Sequence, residues 1–269
     1  LRLMQAWLVL TGLSTLTTYQ HHFIDIPAGI LAGLIAIGLF PDDIRVRRAS
    51  RLAAAYAFGA LILSAAAFRM QGLGWVLLWP AAALSVVSLA YWTERPALFG
   101  KSDRGMRPLA LVVLAPYVAG AWLNSRFWTR GRPCAGEIEP GVWIGRAPRR
   151  GERDRLGIRS VVDVGAELPV NRSGIDYRAV PMLDLVAPSG SQLRAAAYAI
   201  SGFETARPTL VCCALGYSRS AAAGAAWLVV SGRADTADAA AGRIRTCRPD
   251  TLLTQDHCRS LAQFASAPR

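Results

Sequence analysis

Apolar positions in the first half of the chain come in long runs instead of alternating with polar ones. Leu3 to Tyr19, Ile26 to Phe40, Leu52 to Phe68 and Gly72 to Trp92 are uncharged, and the fourth is bordered by Trp75, Trp79, Tyr91 and Trp92. Each approaches the length that crosses a hydrocarbon core of about 30 Å. None shows the polar face at helical spacing expected of a helix on a soluble protein. Residues 3–19, 26–40, 52–68 and 72–92 are therefore predicted as transmembrane helices. A fifth run, 108–123, contains Pro116 and has basic residues at both ends. Spanning, re-entrant and interfacial placements are all open to it; the interface is favoured, because a further crossing would carry the second half of the chain to the far side of the bilayer.

After Ser125 the pattern shortens and becomes periodic. Strands are predicted at Val142 to Gly145, Ser160 to Val164, Tyr177 to Leu185 and Thr209 to Cys212. Helices are predicted at Glu152 to Leu156, Gln192 to Thr205, Ala221 to Val230, Thr236 to Thr246 and Thr254 to Phe264. Alternating strands and helices predict an α/β domain with a central, mainly parallel sheet flanked by helices, its ligand at the carboxyl end of a strand. The expected organisation is a membrane region over 1–125, a basic linker over 126–132 and the α/β domain over 133–269.

Composition sharpens this division. Over 269 residues, 53% are hydrophobic and the formal net charge is +12; mean hydropathy is +0.29. Lys101 is the single lysine, so the positive charge is almost wholly arginine. Arg45, Arg47, Arg48 and Arg51 follow the second run, and Arg95, Lys101, Arg104 and Arg107 follow the fourth. The positive-inside rule puts both connections in the cytoplasm, with the His21 and Asp25 segment outside. No aromatic–basic interleaving or base-reading motif appears, which argues against nucleic acid as a partner. Five cysteines without a CxxC pair, and three histidines, argue against a zinc site and suit a reducing compartment. No cofactor or metal is implied. The chain opens on leucine, as expected of a fragment.

Candidate chemistry centres on Val211-Cys212-Cys213-Ala214-Leu215-Gly216-Tyr217-Ser218-Arg219-Ser220. A buried strand, a glycine turn and a helix in this order suit a thiolate at Cys213 that attacks phosphorus. The backbone N–H groups of Ala214, Leu215, Gly216, Tyr217 and Ser218 would cradle the phosphoryl oxygens. The helix N-terminus and Arg219 would favour the thiolate, and Arg219 would grip two oxygens with its fork. Asp184, before a Pro/Gly/Ser loop, is the candidate general acid; flanking Leu183 and Leu185 would desolvate it. Asp163 is the competitor, expected instead to satisfy local backbone groups. Ser220 suits either a hydrogen bond to the departing thiolate or a helix cap.

Cys213-x5-Arg219-Ser220 resembles the signature loop of the dual-specificity phosphatases, and the order of elements from about Gly131 to Ala265 is similar to that family. The resemblance implies a phosphocysteine intermediate, an aspartate acid on a loop like that of Asp184, and a leaving-thiolate role for Ser220. Cys212 stands where the family usually has histidine. Ser14-Thr15-x5-His21-x3-Asp25 resembles the third motif of the type 2 phosphatidic acid phosphatase (PAP2) family, in which the histidine accepts phosphate and the aspartate orients it. Thr15 replaces that family's arginine and its earlier motifs are absent, so His21 and Asp25 are read as vestigial. The pairing resembles bacterial proteins that fuse the two modules. It implies an integral inner-membrane protein with a cytoplasmic phosphatase domain acting on a phosphoprotein or on a lipid or inositol phosphate. A phosphate-binding pseudophosphatase or membrane scaffold is the alternative.

Overall fold

The computed structural model describes residues 44–203 and 208–266, together with Gly29. The runs at 3–19 and 26–40, and the motif carrying His21 and Asp25, lie outside the described residues.

Helix α1, Ile44–Met70, begins before its apolar stretch and takes Arg48 and Arg51 into its first turns. A 3-10 turn at Gly72–Leu77 leads into α2, Leu78–Trp92. The two helices run antiparallel. Ser88 Oγ donates to the Ala53 carbonyl at 2.8 Å near one end, and the Phe68 and Trp75 rings meet edge-on at 5.1 Å near the other. A short hairpin of β1, Lys101–Ser102, and β2, Gly105–Met106, follows. Helix α3 then spans Pro108–Trp128, past the end of its apolar run and through the first residues of the expected linker. Proline has no N–H, so Pro116 leaves the Val112 carbonyl without its helical donor; the Trp79 indole fills that place at 2.9 Å. Among the described residues, three helical segments, Arg48–Met70, Gly72–Trp92 and Pro108–Trp128, are long and apolar enough to cross a membrane.

The second half is built from β3 (Ala135–Glu139), β4 (Val142–Arg146), α4 (Arg150–Arg155), β5 (Ser160–Gly165), β6 (Asp176–Met182), α5 (Gly190–Ser201), β7 (Thr209–Cys213), α6 (Arg219–Val230), α7 (Ala237–Cys247) and α8 (Gln255–Ser266). The sheet order is β3-β4-β7-β5-β6. Four strands are parallel, but β3 pairs antiparallel with β4, so the sheet is mixed and not simply parallel. Ala-Gly-Glu-Ile-Glu at β3 holds one strong strand former, which is why its pattern does not announce a strand. β6 stops at Met182, short of Leu185, whose positive φ of 59° marks a turn.

Side chains alternate across β7. Val211 and Cys213 join the core facing α5, α6, α7 and α8, while Leu210 and Cys212 face the opposite cluster. The adjacent thiols thus point to opposite faces, and both are free. Five alanines and Gly224 in α6 let this helix, apolar from Ala221 onward, sit against the sheet; a methyl at Gly224 would meet Ile144 Cγ2 at 3.0 Å.

Helix α3 lies along this domain. Leu114 packs in a cluster with Ala166, Leu183 and Val186, and Val118 and Ala121 pack against Ala147, Leu168 and Ala214. Ser125 and Arg126 donate to the carbonyls of Ala214 and Ala147 at 2.6 and 2.9 Å. These positions form one helical stripe. Leu109, Val112, Leu123 and Phe127 are exposed.

Candidate active site

Cys213 ends the central strand, with Gly145 and Arg146 of β4 alongside on one flank and Asp163 of β5 on the other. The chain then turns over Gly216, at φ +76°, and enters α6 at Arg219. A Cβ at Gly216 would fall 2.4 Å from Arg146 N and Gly145 C, so the turn needs glycine on both conformational and steric grounds. The Gly216 N–H points at Cys213 Sγ, 3.2 Å away. Ser220 Oγ lies 3.6 Å from the same sulfur. The N-cap position belongs to Ser218, whose side chain makes no capping bond. Ser220 therefore lies against the sulfur and does not occupy the N-cap position.

The other loop residues hold the turn in place. Ala214 accepts from Ser125 through its carbonyl, and the Ala147 N–H donates to the Cys213 carbonyl at 2.7 Å. The Tyr217 hydroxyl donates to the Trp128 carbonyl at 2.9 Å, and its own carbonyl accepts from Leu252 N–H at 3.0 Å. Leu215 and Ser218 are half-buried at the rim.

Arg219 is only 1% exposed and Cys213 2%. Glu167 takes both terminal nitrogens of the guanidinium, at 2.7 and 2.5 Å. Nη1 also donates to the Met182 carbonyl at 3.1 Å, and Nη2 meets Asp184 Oδ1 at 2.9 Å. Burial works against an ionised Glu167, but Arg219 holds its carboxyl below the usual range. At Asp184 the balance differs. Burial and the neighbouring Glu167 charge raise its carboxyl above the ordinary value, and Arg219 and Arg48 only partly oppose them. Its side chain keeps 28% exposure, the one polar group of this cluster open to solvent.

Asp184 is fixed from the helical region. The Tyr91 hydroxyl donates to its carbonyl at 3.1 Å. Tyr91 stacks in turn on Tyr56 at 5.5 Å, within the cluster that packs Leu183 and Val186. Arg48, whose position among the basic residues suggested only a cytoplasmic connection, lies on α1 close enough to act on Asp184 and His257.

Asp163 does accept a backbone bond, from Gly165 N–H at 3.1 Å. Its main partners are Lys101 Nζ at 2.6 Å and the Tyr177 hydroxyl at 2.9 Å. It is a buried structural carboxyl on the flank of β7. Sequence reasoning gave Glu167, Lys101 and Tyr91 no place at the candidate site. Glu167 reads as an ordinary turn carboxylate after a glycine, and nothing nearby announces its bond to Arg219. A hollow of about 390 Å³ opens among Asp103, Arg178, Tyr198 and Phe203; it contains none of the candidate residues.

No family model matches the chain, and no curated protein does. Among solved structures it is similar to Tk-PTP in its active form, with 27% identity over 51% of this chain and 99% of that one, at a TM-score of 0.46. It is similar to a mouse putative dual specificity phosphatase complexed with zinc tungstate, with 25% identity over 51% of this chain and 89% of that one, TM-score 0.45. PTPMT1 in complex with PI(5)P matches at 19% identity over 49% of this chain and 94% of that one, TM-score 0.44.

Proposed function

We propose that the chain is a membrane-tethered phosphomonoester hydrolase working through a phosphocysteine. The observation that carries this reading is the convergence on one strand end of Cys213 Sγ, the Gly216 N–H, the Ser220 hydroxyl and Arg219, with Asp184 beside the guanidinium. The contacts from Glu167 and Met182 fall on the outer end of the Arg219 fork. Its Nε–Nη2 edge is the one offered to a phosphoryl group, and Asp184 Oδ1 holds the Nη2 place that a phosphoryl oxygen would take.

In the first step the thiolate forms an S–P bond as the ester P–O bond breaks, and Asp184 gives its proton to the departing oxygen. In the second, water attacks phosphorus and passes a proton to the Asp184 carboxylate. The S–P bond breaks with its electrons returning to sulfur, and the Ser220 hydroxyl donates to that thiolate. The sum is ester plus water giving alcohol plus phosphate. Backbone N–H groups from Ala214 to Ser218 and the Arg219 fork stabilise the charge on the transferred group.

The α1–α2 hairpin supports a membrane anchor, and the arginines at its domain end support a cytoplasmic catalytic face at a bacterial inner membrane. The substrate is a phosphomonoester of a protein side chain or of a lipid or inositol headgroup. One observation favours a second reading, a phosphate binder with little turnover: the guanidinium is buried and its terminal nitrogens are already engaged.

The test uses the full chain in detergent with p-nitrophenyl phosphate, a phosphotyrosyl peptide and phosphatidyl phosphates. Vanadate-sensitive release of phosphate that Cys213→Ser abolishes is the expected result. Oxyanion binding without Cys213-dependent release would leave only the binder.

A further inference from the structure

We propose that Lys101, supplied by the hairpin between two apolar helices, is a positioning residue of the catalytic site; this rests on the hydrolase reading above. Lys101 is the chain's single lysine and is 7% exposed. Its ammonium reaches across to the sheet and meets three oxygens: the Gly165 carbonyl at 2.5 Å, the Leu168 carbonyl at 2.6 Å and Asp163 Oδ2 at 2.6 Å. An ammonium has three donors, so every one is used.

The two carbonyls lie on either side of Glu167, one at the end of β5 and one in the bend that follows it. Lys101 therefore pins both ends of the short turn whose side chain grips Arg219. Glu167 sets which edge of the guanidinium faces the nucleophile, and Lys101 sets where Glu167 stands. The hairpin is itself fastened to the neighbouring strand: the Ala179 N–H donates to Asp103 Oδ1 at 2.8 Å, and Arg172 Nη1 donates to the Asp103 carbonyl at 3.3 Å. A planar guanidinium would not reproduce three converging bonds from one nitrogen.

A merely structural lysine would only neutralise the buried Asp163. Lys101→Met leaves that carboxyl without its cation and risks misfolding, so the deciding variant is Lys101→Met/Asp163→Asn, which removes both charges together. The full chain in detergent is assayed for melting temperature, for kcat and KM with p-nitrophenyl phosphate, and for equilibrium binding of inorganic tungstate. If Lys101 positions Glu167, the double variant still unfolds cooperatively, melting below wild type only by what two unpaired carbonyls cost, but loses roughly tenfold in kcat/KM and in tungstate affinity. Adding Glu167→Gln then costs nothing further, the non-additivity expected of residues acting through one another.

Recovery of both melting temperature and anion affinity in the double variant would overturn the proposal, as would additive losses with Glu167→Gln. Should wild type bind tungstate without Cys213-dependent turnover, the hydrolase reading falls while Lys101 is still judged on affinity alone. Should wild type bind no oxyanion, Arg219 is not an anion fork and both fall.

Discussion

At the scale of single residues, the site divides into groups whose meaning is local and groups whose meaning is tertiary. Cys213, Arg219 and Ser220 were legible because one strand, one turn and one helix fix their relation within a few positions. The raised proton affinity of Asp184 was legible, because a carboxyl between leucines at a loop start suggests burial. Glu167 was not, because its bond to Arg219 spans 52 positions. The Asp184 assignment carries a pH signature. A carboxyl held above its usual value near 4 stays protonated to higher pH. As general acid it therefore supports kcat up to that raised value and fails above it. Asp184→Asn is expected to remove this basic limb and to lower kcat about 10²-fold or more on alkyl phosphates. The loss should be much smaller with p-nitrophenyl phosphate, whose leaving group needs no proton. A pH–rate profile of the variant that keeps the basic limb would assign the acid elsewhere.

At the scale of elements, periodicity located most of the strands and helices. It missed β3, which has one strong strand former, and it ran β6 through the turn that presents Asp184. The turn from Cys213 to Arg219 is a unit of this kind, set by Gly216 against β4. Gly216→Ala must adopt a left-handed backbone, costing about 1–2 kcal/mol, and bring a methyl onto Arg146 N and Gly145 C. Turnover is expected to fall by more than this destabilisation explains, because the N–H aimed at Cys213 moves with the turn. Melting temperature and kcat measured side by side will separate the two effects. Helix α3 poses a different problem, since a nearly uniform apolar helix does not reveal which face meets protein. Its contacts with the domain at Leu114, Val118, Ala121 and Ser125 oblige it to lie along that domain. In vesicles, fluorophores attached at cysteines replacing Leu109, Val112, Leu123 and Phe127 should be quenched by lipid-borne quenchers at one shallow depth. A graded series of depths across a core of about 30 Å would mean that α3 crosses the bilayer.

At the scale of the whole molecule, sequence composition divides the chain into an apolar half and an α/β half, yet the two share buried contacts that composition cannot register. The start of α1 and the end of α2 both meet the α/β domain, through Arg48 acting on Asp184 and Tyr91 bonding its carbonyl. Stability against acid should reflect this junction. His257 of α8 is buried, hydrogen-bonded to Thr254 Oγ1 at 2.7 Å, and faces the positive charges of Arg48 and Arg219 with only Asp256 in opposition. Burial first, and then those cations, lower its value from 6.5 to about 4. Between these values the unfolded chain binds a proton that the folded chain refuses, so stability rises with pH through the window and drains away as pH falls through it. The limit is roughly 3 kcal/mol, at 1.36 kcal/mol per pH unit. Asp163 and Asp184, raised above their ordinary value by burial, act with the opposite sign. Glu152, held down to about 2 by Arg146 despite partial burial, withdraws its support only below its ordinary 4.5. The histidine contribution is therefore isolated by subtraction: the melting temperature of the full chain in detergent should fall between pH 6.5 and 4.5 more steeply for wild type than for His257→Gln. Parallel curves across that interval would mean that His257 takes up its proton in the folded protein despite the arginines it faces.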